Sequence, residues 1–475
     1  MNKEDPPKSP PIIKNIGVTN TEKYLGELCN KTFLSLWSYP GVYQDKGKPD
    51  DKGHGKEVCD LLVVFGEHII IFSDKDCTFP DTGDLDLDWK RWFKRAIAKS
   101  ANQAWGAERW IRQYSSRVYL DRECSLSIPI DMPTIENTMF HLVVVAHGVS
   151  ERIKELYKGS GSLMIDSSIK GFANHDRPFT IGDLDPSKTF IHIFDDDSLH
   201  ILMSTRDTIS DFVDYLQKRE LIIRNERKMV SPGEEELLAI FLTKMNDEKR
   251  HDFNFPNTFI EEDSSINLKR GLWETFEQDA RRIAQIEHDK VSYTWDRLID
   301  QFCYHAMEGN QYFVTSGGIK DTERILSFMA SEPRVIRRAL SLVLVEMIET
   351  TPGDKRRLRI LDPLQIGGTH YVFLLFPVLV NEAIPIETYR QVHLEFLRAC
   401  CLVAKLQYQH ADDVVGIATE SGNDTISRSE DAIYFDARLW NEELKKEALK
   451  LANEYKILKE PNHSMVRVKE FPDIS

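Results

Sequence analysis

Two runs of apolar residues, separated by a short polar turn, stand out near the amino terminus. Residues 58–65 and 68–72 are rich in Val, Ile and Leu, which favour β-structure, and Gly66 supplies the turn of a hairpin. Apolar side chains occupy consecutive positions rather than every second one, a pattern typical of strands covered on both faces. The pattern therefore predicts a buried central hairpin with helices packed on both sides.

The segments around this hairpin predict a helix before it, and a helix and a strand after it. Thr19 and Glu22 form a capping-box pattern at the start of the first helix. The predicted elements are, in order, a helix over 19–37, a short strand around 42–43, the hairpin, a helix over 89–116 and a buried strand over 140–146.

The next part of the chain predicts further α/β structure. Residues 190–194 and 199–203 have the apolar pattern of another hairpin, which would turn on the polar residues 195–198. A helix is predicted over 207–220, because its apolar positions follow the helical period.

The carboxyl-terminal half is mainly helical in pattern. Residues 371–379 fit a strand or a buried helix, and 412–436 fit two short strands. The predicted organisation is a disordered tail (1–18), an α/β domain with a central mixed sheet flanked by helices (19–150), an α/β extension (151–223), a linker with one short apolar helix (224–266) and a mainly helical region (267–475).

Charge is unevenly distributed along the 475 residues. The net charge of −15 argues against a protein that coats nucleic acid non-specifically. Residues 74–88, however, contain six aspartates and one lysine, whereas 89–117 contain eight Lys or Arg and one glutamate. An acidic cluster beside a basic helix suits a metal-dependent enzyme that acts on a polyanion, although a solvated helix face explains the basic residues equally well. The candidate nucleic-acid-binding residues are Lys90, Arg91, Lys94, Arg95 and Lys99.

Composition also predicts the compartment. The amino-terminal segment is polar and proline-rich, and no apolar run approaches the roughly 18 residues that a membrane span needs. The seven cysteines show no CxxC pair, which indicates reduced thiols rather than a zinc ribbon or a disulfide framework. We therefore expect a soluble cytoplasmic protein with no membrane partner.

The ends of the hairpin carry candidate chemistry. Asp60 enters the first strand and Lys75 leaves the second, so an antiparallel pair can place the two side by side. Hydrolysis of a phosphodiester is assisted by a divalent cation held by carboxylates, and magnesium needs only one or two of them. A neighbouring lysine can orient the attacking water or stabilise developing charge.

Together with Glu27 in the first helix and Gln103 in the second, this arrangement resembles the PD-(D/E)xK (restriction-endonuclease-like) nuclease superfamily over residues 20–147. The resemblance implies a core made of a helix, a three-stranded antiparallel meander, a helix and a further strand. It also implies that Asp60 binds the metal, that Lys75 is catalytic, that Glu27 reaches the metal and that Gln103 braces the site.

The resemblance further implies a function. The cofactor would be Mg²⁺ or Mn²⁺, and the substrate would be a nucleic acid, with DNA favoured over RNA. A bacterial or phage setting such as restriction, defence or repair is implied. The carboxyl-terminal half would then have a sensing or positioning role, form a homo-oligomer or bind a partner protein.

Ser73 departs from the superfamily pattern. An acid is expected two residues before the lysine, on the same face of the strand. Asp74 is adjacent and would point away in a regular strand, so it substitutes only if a β-bulge re-aims it. Otherwise Glu57 or Glu27 would join Asp60 as a metal ligand. If no acid fills this position, the domain is degenerate and binds nucleic acid or protein without cleaving.

Overall fold

The chain folds into two compact units of mixed α/β structure, as seen in a computed structural model. The structure describes residues 11–45, 55–225, 227–246, 250–253, 255, 265–309, 318–363, 368–377, 385–422, 430–458 and 469–472. Within these ranges, the first unit extends to Ala284 and includes 300–320, and the second comprises 285–299 and 321–472. No helix in the described ranges combines the length and the apolar character that crossing a membrane requires.

Helices and strands are mixed along the chain without regular alternation. The helices are α1 (Asn20–Trp37), α2 (Leu85–Phe93), α3 (Lys99–Gln113), α4 (Ser150–Tyr157), α5 (Asp196–Thr205), α6 (Ile209–Arg224), α7 (Glu234–Thr243), α8 (Leu272–Glu277), α9 (Ala280–Asp289), α10 (Tyr293–Met307), α11 (Ile319–Ala330), α12 (Arg334–Thr350), α13 (Ile386–Gln407) and α14 (Glu442–Glu454). The strands are β1 (Ser38–Gln44), β2 (Lys56–Phe65), β3 (His68–Lys75), β4 (Met139–Ala146), β5 (Met164–Lys170), β6 (Thr180–Asp183), β7 (Ile191–Phe194), β8 (Met229–Ser231), β9 (Ile266–Asn267), β10 (Arg357–Leu361), β11 (His370–Phe376), β12 (Asp413–Glu420) and β13 (Asp431–Asp436). A π-helical turn, Lys94–Ala98, joins α2 to α3.

The predicted hairpin lies inside a five-stranded mixed sheet of the first unit, in the order β1-β2-β3-β4-β7. β1, β2 and β3 form an antiparallel meander, and β4 runs parallel to both β3 and β7. Gly66 turns the chain between β2 and β3 with a φ of 54°, a conformation that glycine adopts readily. The hairpin is confirmed, and its strands extend further, to Lys56 and Lys75.

Both faces of β3 are covered, as the continuous apolar pattern predicted. Consecutive residues from Ile69 to Phe72 are completely buried, so side chains on either face of the strand pack against other elements. Phe72 contacts Phe33 of α1 and Phe212 of α6, with ring centroids 6.1 and 6.5 Å apart. α3 also packs against β2, β3 and β4. Burial of each large apolar side chain contributes roughly 1.5–3 kcal/mol, so the hairpin is the centre of this core.

The prediction of a second strand in the hairpin over 190–203 is wrong. β7 is present, but residues 199–203 lie in α5. The Asp195 carboxylate accepts a hydrogen bond from the Ser198 N–H at 2.9 Å, and the Asp195 N–H donates to Ser198 Oγ at 2.9 Å. This capping box starts a helix where the short apolar run alone suggested a strand.

The segment 224–266, predicted as a linker, contributes packed structure to the first unit. β8 pairs with β5 and β9 in a second mixed sheet, of order β6-β5-β8-β9. Every residue from Glu234 to Leu242 in α7 is buried. The expected boundary at residue 150 also cuts through a sheet, because β7 pairs with β4.

The second unit is built on a four-stranded mixed sheet, in the order β10-β11-β12-β13. β11 and β12 are parallel and are joined through α13, whose buried residues Leu397, Cys400 and Cys401 belong to the unit's core. The description of 267–475 as mainly helical is therefore incomplete. Residues 371–376 of the apolar run predicted at 371–379 lie in the strand β11, and residues 378–379 lie outside the described part of the chain. β10 was missed because its arginines interrupt the apolar pattern.

Candidate functional site

The carboxyl ends of three parallel strands meet at one edge of the five-stranded sheet. β3 ends at Asp74 and Lys75, His147 follows the last residue of β4, and Asp196 lies two residues after β7. The His147 N–H donates to the Lys75 carbonyl oxygen at 3.0 Å, which continues the β3–β4 ladder beyond the strands. In sheets with parallel strands, ligands commonly bind in the crevice outside these ends.

Asp60 and Asp74 are neighbours at this edge. The Asp60 carboxylate accepts a hydrogen bond from the Asp74 backbone N–H, with a distance of 2.6 Å between Oδ2 and N. Burial raises the pKa of Asp60 to about 7; that hydrogen bond opposes the shift, and the charges of Glu57, Asp74 and Glu22 add to it. The Asp60 anion is thus poorly stabilised by the protein alone.

No β-bulge re-aims Asp74. β3 pairs with β4 without a register shift from His68 to Lys75, so side chains alternate regularly between the two faces. Ser73 and Lys75 therefore share one face, and Asp74 points to the other. Ser73 is itself buried, so the position where the superfamily pattern has an acid is filled by a small hydroxyl side chain.

Asp74 is instead part of a charge cluster with His147 and the partly exposed Asp196. His147 Nε2 lies 2.5 Å from Asp74 Oδ1, and His147 Nδ1 contacts the Asp196 carboxylate. Burial works against protonation, but the hydrogen bonds and charges of Asp196 and Asp74 raise the pKa of His147 to about 10. Burial likewise opposes ionisation of Asp196, but the hydrogen bond from His147 lowers its pKa. His147 is therefore an imidazolium at neutral pH.

The second oxygen of Asp74 has no such contact. Asp74 Oδ2 is buried and has no hydrogen-bond partner within the described part of the chain. Buried carboxylate oxygens are normally satisfied by donors or by a bound cation.

The other residues predicted for the site lie at its periphery. Lys75 is exposed, and no described acidic side chain forms an ion pair with it. Glu27 is exposed on α1. Burial of the Tyr24 hydroxyl raises the pKa of Tyr24, and the negative charges of Glu27 and Asp196 raise it further. Partial desolvation, with the neighbouring Glu22, raises the pKa of Glu57.

Gln103 is exposed on α3. Within the described residues, no three of the predicted metal ligands (Glu27, Glu57, Asp60 and Asp74) come together at metal-ligand spacing.

A basic groove begins a few residues beyond Lys75. The predicted residues Lys90, Arg91, Lys94, Arg95 and Lys99 are all exposed. Four of them line an open groove together with Thr78, Phe79 and Pro80; these four are Arg91, Lys94, Arg95 and Lys99. The groove includes the π-helical turn, a local distortion that is common at functional sites.

Trp92 connects the groove to the sheet edge. Its indole N–H lies within hydrogen-bonding distance of two carbonyl oxygens, 2.9 Å from that of Cys77 and 3.2 Å from that of His147. Gly148 is needed beside them, because its φ is +84° and a Cβ there would lie 2.6 Å from the Cys77 carbonyl oxygen. The basic helix is therefore fixed directly to the segment that carries His147.

Comparisons with protein-family models, with curated protein sequences and with solved structures returned no match to this chain.

The sequence pattern alone had given no role to His147 or Asp196. His147-Gly148-Val149-Ser150 lacks the GxSxG spacing of a nucleophile elbow, so this motif indicates no catalytic role. A usable signal was present, because His147 immediately follows a strand predicted beside the hairpin. Asp196 was hidden by the assignment of 195–198 to a hairpin turn.

The Asp60 carboxyl group and the second oxygen of Asp74 each suit a divalent cation, but the contact between these two residues is the hydrogen bond from the Asp74 N–H to Asp60, and the full predicted ligand set does not come together. Asp74 offers an unpartnered buried oxygen, and Asp60 has a carboxyl group whose ionisation is unfavourable without a counter-charge. Magnesium and manganese accept one or two carboxylates and complete their shell with water and substrate phosphate. The positive charge of His147 already compensates one oxygen of Asp74, so the remaining oxygen is the available ligand.

Proposed function

We propose that the first unit is a Mg²⁺- or Mn²⁺-dependent nuclease that hydrolyses phosphodiester bonds, with DNA the favoured substrate. The observation that carries this proposal is the acidic end of β2 and β3, where the Asp60 carboxylate accepts a hydrogen bond from the Asp74 N–H and the buried Asp74 Oδ2 is unpartnered among the described residues, a few residues before the basic groove. Carboxylates that hold a cation and basic side chains that hold phosphates are the two requirements for such chemistry.

The order of elements supports the proposal. α1, the β1-β2-β3 meander, α2 with α3, and β4 follow the order that the resemblance to PD-(D/E)xK nucleases implies. A restriction, defence or repair role rests on that resemblance.

Each residue at the edge has a distinct task in this proposal. Asp60 would hold the cation, which supplies charge neutralisation and lowers the pKa of the attacking water, and the Asp74 backbone N–H positions the Asp60 carboxylate. His147 fixes the Asp74 carboxylate through its Oδ1. Lys75 is exposed and cationic, so it can orient water or stabilise negative charge on the phosphate. Arg91 and Lys94 would hold the nucleic-acid backbone in the groove.

Asp60→Asn and Lys75→Ala are expected to reduce cleavage of supercoiled plasmid by at least about 100-fold, because the bound cation contributes several kcal/mol to the transition state. The measurement is the rate of nicking and linearisation in Mg²⁺ or Mn²⁺, with an RNA of matched length as a second substrate. The control is Asp86→Asn, which removes an exposed acid from the first turn of α2. Cutting at the wild-type rate in Asp60→Asn would overturn the proposal.

A second candidate function is a binding or assembly module whose cleavage site has degenerated. Ser73 in place of the expected acid, and the engagement of Asp74 by His147, favour this alternative. It is expected to show salt-dependent nucleic-acid binding without turnover. Calorimetric titration with Mn²⁺ separates the two functions: loss of one binding equivalent in Asp60→Asn supports the nuclease, and an unchanged heat profile supports the module.

Both functions give the same expectation for the basic groove. Replacing Lys94 and Lys99 with alanine should weaken DNA binding and reduce the slope of log K against log salt by about 0.9 for each phosphate that the variant no longer neutralises. Fluorescence anisotropy at several salt concentrations measures the slope. The matched control replaces Lys446 and Lys450, two exposed lysines of α14, with alanine. Equal slopes for the two double variants would show that the groove does not bind DNA.

A further inference from the structure

Three potential metal ligands meet at one end of the four-stranded sheet in the second unit. Asp362 follows the last residue of β10, His370 is the first residue of β11, and His410 lies in the loop between α13 and β12. The ligand atoms of these three side chains all lie within 4.8 Å of one another. They converge because β10 and β11 are antiparallel neighbours and β12 begins beside the start of β11.

The buried histidine of this cluster lacks hydrogen-bond partners. The His370 side chain is only 3% exposed, yet neither ring nitrogen makes a hydrogen bond within the described residues. Its Nε2 lies 3.3 Å from Asp362 Oδ1, without hydrogen-bond geometry. A buried imidazole with two unsatisfied nitrogens is costly, and a cation bound at Nε2 would satisfy one of them.

Two of the three ligand-atom distances in the cluster match those of a metal shell, and the third is within 4.8 Å. His370 Nε2 and His410 Nε2 lie 3.3 and 3.5 Å from Asp362 Oδ1. Ligands at about 2.0–2.2 Å from a tetrahedral zinc ion are separated from one another by about 3.3–3.6 Å. Asp362 and His410 could therefore complete such a shell with His370 after only small side-chain adjustments.

The loop that carries His410 is held in place by a buried lysine. Lys405 Nζ donates hydrogen bonds to the carbonyl oxygens of Gln409 and Ala411, both at 2.6 Å, on either side of His410. The Ala411 N–H also donates to the Tyr408 carbonyl oxygen at 3.0 Å. These hydrogen bonds fix the backbone around His410, as a preformed binding site requires.

We propose that Asp362, His370 and His410 form a site for a divalent transition-metal ion of the zinc class. Two imidazoles and one carboxylate select such an ion over magnesium or calcium, which prefer oxygen ligands. The Asp362 and His410 side chains are 56% and 68% exposed, so the remaining coordination position faces solvent. Three protein ligands with an open position are the arrangement of catalytic rather than closed structural zinc sites.

Isothermal titration calorimetry of the metal-stripped 475-residue chain with ZnCl₂ tests this site. All proteins carry Asp60→Asn, so that the hairpin site of the first unit does not contribute. We expect one zinc equivalent in this background, and an affinity at least about 10-fold weaker in His410→Ala and Asp362→Asn. Both replaced side chains are largely exposed, so the fold is retained. His288→Ala, at an exposed histidine of α9, is the control and should bind zinc as the background does.

Titration with Co²⁺ gives an independent readout. Coordination by the three side chains should produce a visible d–d absorption band that is absent in His410→Ala and present in His288→Ala. Zinc affinity in His410→Ala and Asp362→Asn equal to that of the control would overturn the proposal. Absence of zinc binding in the Asp60→Asn background would overturn it as well.

Discussion

Replacing Glu234 with glutamine is expected to lower the free energy of unfolding of the first unit by about 3–5 kcal/mol. The Glu234 carboxylate accepts two hydrogen bonds from the Arg219 guanidinium group, each 2.8 Å long, and one from the Tyr215 hydroxyl at 2.5 Å. The Arg219 and Glu234 side chains are 1% and 4% exposed. The substitution leaves a guanidinium charge buried without its counter-charge, which costs more than the ion pair itself contributes.

Urea unfolding followed by tryptophan fluorescence measures this effect, because Trp89 and Trp92 are buried in the first unit. Glu151→Gln is the matched control: the side chain is 88% exposed, and the same chemical change should cost less than about 0.5 kcal/mol. A double variant, Arg219→Met with Glu234→Gln, removes both charges and should be more stable than Glu234→Gln alone. Equal unfolding midpoints for Glu234→Gln and Glu151→Gln would contradict the prediction.

Replacing His147 with glutamine is expected to destabilise the first unit by about 2–4 kcal/mol at pH 6.5, and by progressively less as the pH rises toward 10. The pKa of His147 is about 10 in the folded protein and 6.5 in its ordinary state, so the folded protein binds the proton more tightly. The stabilisation is complete below pH 6.5 and is lost as the pH approaches 10. The Asp196 side chain is 42% exposed, so solvent screening reduces the contribution of the His147–Asp196 ion pair to this stabilisation.

The measurement is the difference in unfolding free energy between wild type and His147→Gln, taken at intervals from pH 6 to 9.5. His288→Gln, at an exposed histidine, serves as the control and should show no such trend. A difference between His147→Gln and wild type that stays constant over this range would show that His147 is not held as an imidazolium.

Local patterns predicted the elements that their own residues determine. The hairpin follows from continuous Val, Ile and Leu with a glycine turn, and α1 follows from the Thr19–Glu22 capping box. Residues 199–203 were ambiguous, because a short apolar run fits a strand or a buried helix equally well. The N-cap at Asp195 decided the outcome.

Contacts between distant segments account for the rest of the discrepancies in the fold. The run of glutamates that begins α7 has the composition of a solvated segment, which favoured a linker there. Glu234 is nevertheless buried, because Arg219, on a different helix, neutralises it. Such a pairing is visible only once the two helices are packed together.

The candidate site was also predictable only where local patterns determine it. Antiparallel pairing of the hairpin was enough to expect Asp60 near the end of β3, and the structure shows it bonded to Asp74. The contribution of Asp196 required β7 to join the sheet next to β4, which no local pattern indicates. The cluster of Asp362, His370 and His410 likewise has no recognisable spacing, because its members come from three separate segments.

Because of the π-helical turn at Lys94–Ala98, the basic groove depends on the number of residues in this segment as well as on which residues they are. A turn with i→i+5 hydrogen bonds holds one residue more than an α-helical turn, and each residue rotates an α-helix by about 100°. Deletion of a single residue here would therefore turn Lys99 away from Arg91. The Trp105 indole N–H donates a hydrogen bond to the Thr189 carbonyl oxygen at 2.9 Å, and the same deletion would draw these two groups apart. The helix is thus constrained at both ends. Among related chains, this segment should therefore tolerate substitutions more readily than insertions or deletions.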